Sequence, residues 1–270
     1  MSNILLRAIT GSLFVALMVA STQWSWLFDV LCLVFPALCV WELTRMFGYK
    51  IWISIFAIIG ISTIMSIRLG YLEPISNYDF TPLLFIIFIL SAQKKNSKIS
   101  SITLVGIIYI LASFLFYHKL AHIEIANNEY SPILCFDNTY ILCMLIFIWT
   151  NDSFAYLIGR KIGKTPLAPS ISPKKTIEGT LGGLLCTVLA ATLLKYIYII
   201  PDGNWFYAWA LLVSVSATVG DLIESKVKRI AGVKDSGNLL PGHGGFLDRL
   251  DAMLFCSIVS FLFFKFVPLF

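Results

Sequence analysis

A series of apolar runs, each near the length of a membrane-spanning helix, limits what this chain can fold into. A helix needs roughly 20 mostly apolar residues to cross a bilayer, and about nine runs approach that length. They lie near residues 3–21, 24–43, 51–67, 80–93, 101–118, 139–158, 179–200, 205–224 and 246–267. Because 58% of the residues are hydrophobic and only 13% are charged, the composition excludes a soluble domain with a polar surface. We therefore predict an all-α, polytopic integral membrane protein, since helices satisfy their own backbone groups in lipid.

The apolar runs leave little chain for a separate soluble domain, so we predict a single membrane domain over residues 1–270. The polar motifs are concentrated in its second part. We interpret residues 1–138 as scaffold spans and residues 139–270 as catalytic spans with cytoplasmic loops. Arg7 and the small residues after the first run give that run some likeness to a signal peptide. We interpret it as the first transmembrane helix, because further spans follow and no soluble domain does.

The distribution of Lys and Arg predicts the orientation, because basic residues favour the cytoplasmic side of a membrane. Most of them follow the second, fourth, sixth and eighth runs, with clusters at 94–98, 160–175 and 226–234. We expect these loops to face the cytoplasm and the N-terminus to lie outside. The stretch 220–251 then faces the cytoplasm.

Three features of the scaffold spans carry weaker signals. Glu42 and Arg45 lie three residues apart at the end of the second run, a spacing that favours a local ion pair over a role in lipid entry. His118 and His122 are one helical turn apart, but no carboxylate or cysteine partner accompanies them, and we interpret them as interfacial histidines. The role of Cys135, in the polar loop that follows, stays open.

Polar residues interrupt the sixth run. Asn151 and Asp152 follow a purely apolar stretch, and apolar residues resume after them. Ionisable residues at such a depth face a protein interior or a polar cavity and are functional-site candidates. A hydrogen bond between helices is a serious alternative for Asn151. Asp152 is interpreted functionally, because a carboxylate at that depth needs a cation or a metal.

The segment 159–179 separates two apolar runs and combines three prolines with lysines and hydroxyl groups. The prolines prevent a continuous helix. Hydroxyls, ammonium groups and backbone amides at the start of the next helix suit a phosphate. The residues concerned are Ser172, Lys174, Lys175 and Thr176. Since the order of residues is not that of a P-loop, a basic loop that only sets topology is the alternative.

The stretch 220–251 is the most highly charged part of the chain, and apolar runs bound it on both sides. Asp221 and Glu224 are three residues apart, and Asp248 and Asp251 repeat that spacing, which puts each pair on one helix face. Carboxylates with phosphates nearby are the usual ligands of Mg²⁺. Cations for the phosphates are Lys226, Lys228, Arg229, Lys234 and Arg249, and glycines flank His243. A salt-bridge network among these residues is the alternative, although the charges outnumber what such a network needs.

The same stretch resembles the signature of the phosphatidate cytidylyltransferases, or CDP-diacylglycerol synthases. The resemblance rests on Ser-Lys-Val-Lys-Arg at 225–229, Lys-Asp-Ser-Gly at 234–237, and Pro-Gly-His-Gly-Gly-Phe-Leu-Asp-Arg-Leu-Asp at 241–251. The segments 151–156 and 172–179 also resemble that family. The first ~130 residues match only in being hydrophobic spans.

This resemblance implies the condensation of CTP with phosphatidate to give CDP-diacylglycerol and pyrophosphate, with Mg²⁺ as cofactor. It implies that Asp221 and Asp248 bind the metal, alone or with a second divalent or a monovalent cation. The expected catalytic residues are Asp221, Asp248, Lys226, Arg229 and Asp251. The expected substrate-binding residues are Ser172, Lys174, Lys175, Thr176, Lys228, His243, Arg249 and Asp152.

The expected partners are CTP, phosphatidate and the lipid bilayer, with no nucleic acid and with a homodimer left open. The expected location is the bacterial cytoplasmic membrane, with a polar cavity that faces the cytoplasm and opens sideways to lipid. A membrane transporter of an anionic substrate is one alternative, although its helix interruptions would usually be repeated symmetrically. Another nucleotide–lipid phosphotransferase is the second alternative, although the Asp-Gly-x-x-Ala-Arg opening of CDP-alcohol phosphatidyltransferases is absent.

Overall fold

The computed structural model describes residues 3–49, 97–121, 139–198 and 204–266 and is mostly helical there. The helices of these residues are α1 (Asn3–Ser21), α2 (Ser25–Met46), α3 (Ser97–Leu120), α4 (Thr139–Ile162), α5 (Ile177–Tyr198), α6 (Trp205–Ile230) and α7 (Asp251–Phe266). Two short strands, β1 (Pro166–Ala168) and β2 (Ser172–Thr176), separate α4 from α5. A single 3-10 turn, Leu247–Arg249, precedes α7.

Five of these helices, α2 to α6, are long and apolar enough to cross a membrane. The apolar part of α1, Leu5–Ser21, is shorter, and α7 has 16 residues. The prediction of a polytopic helical membrane protein is thus confirmed in its coarse form. The predicted runs at 51–67 and 80–93 lie outside the described residues, as do His122 and Cys135.

The chain divides into two compact units. The first unit comprises Met1–Leu115 with Ile230–Arg249, and the second comprises Phe116–Arg229 with Leu250–Phe270. The segment 230–249, which joins α6 to α7, therefore packs with the N-terminal helices, although it is far from them in sequence.

An aromatic cluster attaches the segment 230–249 to the first unit. Phe246 packs edge-on against Phe35 of α2, with ring centroids 4.8 Å apart, and against Phe14 of α1, at 5.9 Å. Phe246 is buried. Burial of such a ring is worth roughly 1.5–3 kcal/mol, so the turn that precedes it is held against both helices.

In the second unit, glycines allow α4 and α5 to approach closely. A Cβ on Gly179 would lie 2.6 Å from the carbonyl oxygen of Ala155 and 3.0 Å from the Cα of Gly159. Small residues at such a contact are typical of helices that pack in membranes. In the same unit, Trp209 of α6 is fully buried and donates its indole N–H to Ser260 of α7 at 2.9 Å.

The antiparallel strands β1 and β2 form a hairpin that the sequence did not predict. Its start is fixed by Glu178, whose carboxylate accepts the backbone N–H groups of Lys164 and Thr165, each at 3.1 Å, and the hydroxyl of Thr165 at 2.9 Å. Prolines limit the hairpin to a few pairs, since they donate no ladder hydrogen bond. The expected interruption of the helix over this segment is confirmed.

The first unit also decides how the N-terminus lies relative to the segment 230–249. Thr10 of α1 lies 2.7 Å from the ring of His243, and Glu42 near the end of α2 accepts the N–H of Phe246 at 2.8 Å. The chain thus begins and returns beside the same segment. The membrane side of the N-terminus stays a prediction. This arrangement favours the side of the segment 230–249 for it, because two consecutive crossings return a chain to its starting side.

Candidate functional site

In the first unit the expected site residues lie on or beside a glycine turn, residues 241–245. Gly242 and Gly244 have φ values of +80° and +87°, a backbone conformation that only glycine adopts readily. The N–H of His243 donates to the carbonyl of Leu240 at 2.9 Å, and the N–H of Leu240 donates to the carbonyl of Gly244 at 3.1 Å. The turn is therefore closed by its own backbone, and His243 stands at its tip.

Asp248, an expected metal ligand, closes the same turn from the other side. Its Oδ2 accepts the backbone N–H of Gly245 at 2.9 Å and that of Ser236 at 3.0 Å. These two hydrogen bonds fix the direction of the side chain, because one oxygen is held by two separate backbone segments.

Glu42 of α2 binds the residues beside this turn, although the sequence analysis interpreted it as part of the scaffold spans. Its carboxylate is buried and accepts the N–H groups of Phe246 and Leu247 and the hydroxyl of Ser236, all at 2.8 Å. The expected local partner, Arg45, instead lies with its guanidinium 5.3 Å from the ring centroid of Trp41. No local signal could have identified these contacts, since about two hundred residues separate Glu42 from its partners.

A polar cavity of about 390 Å³ lies beside the glycine turn. Its charged lining consists of three cations and one carboxylate: Arg7, Lys234, Arg249 and Asp235. His243, Gly242 and Gly244 complete the wall. The cavity thus has a positive balance and backbone that approaches closely, which suits an anion with several oxygens such as a phosphate. Arg7 comes from α1 and was not among the expected site residues.

His243 is placed between α1 and the cavity. Its Nδ1 lies 2.7 Å from the hydroxyl of Thr10, and a Cβ on Gly11 would be 3.1 Å from its ring. Partial burial lowers the pKa of His243, and the positive charges of Arg249 and Arg7 lower it further. The ring is therefore neutral near pH 7, so that it offers a hydrogen bond to a ligand rather than a charge. Arg249 is tied to the turn by a hydrogen bond from its Nη2 to the carbonyl of His243 at 3.1 Å.

In the second unit, Asp221 of α6 is the centre of the charged group. Its Oδ2 lies 2.5 Å from the ammonium of Lys175 on β2, and its Oδ1 accepts the hydroxyl of Ser225 at 3.1 Å. The hairpin and α6 are thus joined by an ion pair that is about a quarter to a third exposed. The structure pairs Asp221 with Lys175, which lies outside the stretch 220–251 in which the salt-bridge alternative was expected.

The next turn of α6 carries a second ion pair. Lys228 and Glu224 are both buried, and their charged atoms are 2.6 Å apart. The charge of Lys228 is therefore partly neutralised within its own helix. Arg229 is exposed and donates from Nε to the carbonyl of Ile171 at 3.4 Å, and Lys226 is exposed on the same helix.

Two further aspartates accompany Asp221 in this unit. Asp251 begins α7, accepts the N–H of Ala252 at 2.7 Å, and lies within electrostatic reach of Asp221, Asp152 and the ammonium of Lys228. Asp152 is exposed on α4. Two of the other expected carboxylates of the second unit, Asp221 and Asp152, thus raise the local negative charge at Asp251.

Asn151 and the residues of β2 have roles that are partly structural. The hydroxyl of Ser214 on α6 donates to Asn151 at 2.7 Å, so the expected alternative of a hydrogen bond between helices is confirmed for this residue. Thr176 caps α5, because its Oγ1 accepts the N–H of Gly179 at 3.2 Å. Lys174 is exposed and Ser172 is half-buried.

Within the described residues, no group of three or more His, Cys, Asp or Glu side chains is arranged to hold a metal ion by itself. Mg²⁺ is commonly held by one or two carboxylates together with water and substrate phosphates. The donor chemistry of Asp221 and Asp248 fits that ion, because both offer hard carboxylate oxygens whose direction is fixed by neighbouring donors.

Comparison with known proteins covers nearly the whole chain. A family model described as the cytidylyltransferase family matches residues 3–267. A phosphatidate cytidylyltransferase of Bacillus subtilis (strain 168) is 34% identical over 252 residues, which cover 88% of this chain and 87% of that protein. A phosphatidate cytidylyltransferase of Staphylococcus aureus (strain COL) is 36% identical over 168 residues, which cover 62% of this chain and 60% of that protein.

Proposed function

The chain belongs to the cytidylyltransferase family, and from this membership we propose that it is a phosphatidate cytidylyltransferase, an integral membrane enzyme of phospholipid biosynthesis. The reaction joins CTP and phosphatidate to give CDP-diacylglycerol and pyrophosphate. The observation that carries the proposal is the charged stretch 225–251, which resembles the signature of these enzymes and lies within the part of the chain that the family model matches.

The chemistry consists mainly of bringing two polyanions together. An oxygen of the phosphatidate phosphate attacks the α-phosphorus of CTP, the bond from that phosphorus to the bridging oxygen breaks, and pyrophosphate leaves with the electron pair. The attacking oxygen is already an anion, so no strong base is needed. Positioning and neutralisation of charge are therefore the main tasks of the protein, as in other phosphoryl transfers.

The cavity of the first unit suits one of these phosphate groups. Arg7, Lys234 and Arg249 supply positive charge, and His243 in its neutral form supplies a hydrogen bond. An arginine can bind two phosphate oxygens at once, which fixes orientation as well as charge. The cavity therefore binds either the lipid phosphate or the phosphates of the nucleotide.

The second unit supplies further phosphate contacts. Lys174 is exposed on β2, and Lys226 and Arg229 are exposed on α6, so these three cations are accessible to a polyanion. Ser172 adds a hydroxyl beside them. Lys175 and Lys228 contribute less free charge, because each already pairs with a carboxylate, and the acceptor of Thr176 is used by the helix cap.

Mg²⁺ is the proposed cofactor, with Asp221 and Asp248 as its protein ligands and Asp251 and Asp152 as auxiliary carboxylates. The number of ions, and whether a monovalent cation accompanies Mg²⁺, belong to the same proposal. The ion supplies neutralisation of phosphate charge when it is bound. Within the first unit backbone amides orient the carboxylate of Asp248, and within the second unit a hydroxyl orients one oxygen of Asp221.

The site faces the cytoplasm in this proposal, in the cytoplasmic membrane of a bacterium, because the basic loops favour that side and CTP is a cytoplasmic nucleotide. The N-terminus then lies in the cytoplasm too, since α1 begins beside the glycine turn.

The test is pyrophosphate release by the detergent-purified protein with CTP, phosphatidate and Mg²⁺, with each component omitted in turn. We expect release that needs all three. Asp221→Asn and Asp248→Asn should each lower kcat by at least about 100-fold while the protein still elutes as a folded species, a loss typical of a removed metal or electrostatic contact. Formation of CDP-diacylglycerol by either variant at near-normal rates would contradict the metal assignment. No product from the wild-type protein would contradict the function itself.

A further inference from the structure

Glu42 has the position of a functional residue although it lies in the part of the chain interpreted as scaffold. Its side chain is 1% exposed and reaches from α2 into the glycine turn. Oε1 accepts the N–H of Phe246, and Oε2 accepts the N–H of Leu247 and the hydroxyl of Ser236. A buried carboxylate is costly unless donors compensate it, and here three donors of the segment 230–249 do so.

Glu42 and Asp248 bind donors from the same two segments. Ser236 donates its hydroxyl to Glu42 and its N–H to Asp248, at 2.8 and 3.0 Å. The N–H of Gly245 donates to Asp248, and the N–H of the next residue, Phe246, donates to Glu42. A displacement of one carboxylate must therefore move the other, because adjacent donors connect them.

Two glycines leave room for the Glu42 carboxylate. A Cβ on Gly237 would lie 2.6 Å from its Oε1, and a Cβ on Gly245 would lie 2.7 Å from its Oε2. A real Cβ does not approach an oxygen so closely. The turn is thus shaped around this carboxylate on two sides, beyond its three hydrogen bonds.

We propose that Glu42 is a positioning residue for the reaction: it holds the turn 236–247 so that Asp248 presents its carboxylate to the metal and phosphate site. This inference rests on the proposed function for the role of Asp248. A residue that served only as an anchor would affect how much protein folds. A positioning residue also affects the rate of each folded molecule, since misplacement by about 1 Å can cost on the order of 100-fold in rate.

Glu42→Gln is the most informative substitution because it keeps the size of the side chain. Both oxygens of Glu42 accept hydrogen bonds, whereas a glutamine must place its NH₂ group against one of these donors. We expect kcat to fall on the order of 100-fold, the Mg²⁺ concentration for half-maximal rate to rise, and the KM for CTP to change less. Glu42→Asp keeps the charge and should recover part of kcat.

Hydrogen exchange provides a readout that does not depend on activity. In Glu42→Gln the backbone amides of Phe246 and Leu247 should exchange faster, with α4 to α6 unchanged. The matched control is Thr103→Val, which removes a buried hydroxyl of the first unit whose hydrogen bond stays within α3. It should leave both the rate and the exchange of the turn as in the wild type.

Ser236→Ala extends the test and also covers the case in which Glu42→Gln does not accumulate. It removes one bond to Glu42 and keeps the backbone bond to Asp248, so a smaller loss of kcat is expected, non-additive with that of Glu42→Gln. The inference is overturned if folded Glu42→Gln keeps kcat and Mg²⁺ dependence within about twofold of wild type. If Glu42→Gln does not fold, the inference is overturned when Ser236→Ala and Glu42→Asp both keep kcat and Mg²⁺ dependence within about twofold of wild type. A wild-type protein without turnover would instead contradict the proposed function. The exchange result would still show whether Glu42 holds the backbone at Phe246 and Leu247.

Discussion

Lys175 and Asp221 illustrate how a single contact changes the interpretation of two residues. Lys175 was expected to bind nucleotide and Asp221 to bind metal, and the structure pairs them at 2.5 Å. A lysine beside a metal ligand competes with the metal for the carboxylate. The pair must therefore loosen when a cation binds to Asp221, and the ammonium then becomes available for a phosphate.

Replacement of Lys175 should lower the Mg²⁺ concentration that the reaction requires. In Lys175→Gln we expect the Mg²⁺ concentration for half-maximal rate to fall, by up to about fivefold, because a partly exposed pair is worth up to ~1 kcal/mol. Lys174→Gln is the control: it removes the same charge from the neighbouring exposed position and should raise the KM for CTP without this shift. An unchanged or higher Mg²⁺ requirement in Lys175→Gln would show that the pair does not oppose metal binding.

At the scale of elements, the contact between α4 and α5 holds the hairpin and α6 in place. Gly183 of α5 faces Asn151 of α4, and a Cβ there would lie 2.7 Å from its carbonyl oxygen and 2.8 Å from its Oδ1. The same Oδ1 accepts the hydroxyl of Ser214. One glycine thus protects both a helix contact and the hydrogen bond that connects α4 to α6.

Gly183→Ala should destabilise the second unit by about 1–3 kcal/mol, the usual cost of extra volume in a packed contact. The measurement is the thermal midpoint of the detergent-purified protein. Leu185→Ala lies in the same helix at a side chain that is 63% exposed within the protein, and it should leave the midpoint nearly unchanged. If both variants have the same thermal midpoint as the wild type, α4 and α5 do not pack as closely as the glycines indicate.

The hairpin shows why an element of this size escapes prediction. Its strands have three and five residues, too few for a recognisable alternation of apolar and polar side chains. The prolines predicted only that the helix would end. What makes the segment a hairpin is the carboxylate of Glu178, which binds residues 13 and 14 positions earlier in the chain.

At the scale of the molecule, the arrangement of α1 and α2 predicts the membrane side of the N-terminus. Both helices contact the segment 230–249, and a short turn at residues 22–24 joins their other ends. We therefore expect the N-terminus and the glycine turn to lie on one side of the membrane, and the turn at 22–24 to lie away from them.

Labelling of single cysteines in sealed vesicles of known orientation tests this topology. In a cysteine-free background, Leu239→Cys and an N-terminal epitope tag should be accessible from the same side. Gln23→Cys, which is exposed in the turn between α1 and α2, should react only from the opposite side. Access to Leu239→Cys and to the tag from opposite sides would contradict the packing of α1 on the glycine turn.

Local composition and spacing were sufficient to predict the helical membrane class and the family of the chain. Apolar runs of membrane length require helices, because lipid offers no partner for an unpaired backbone group, and the blocks within 225–251 identified the family that the comparisons confirmed. Which charges meet is visible only in the folded chain. Glu42 and the turn it holds are separated by about two hundred residues, and the partner of Lys175 lies on another element. Neither contact leaves a periodic trace in the chain, because a hydrogen bond between distant residues constrains their positions in space and not their spacing in sequence.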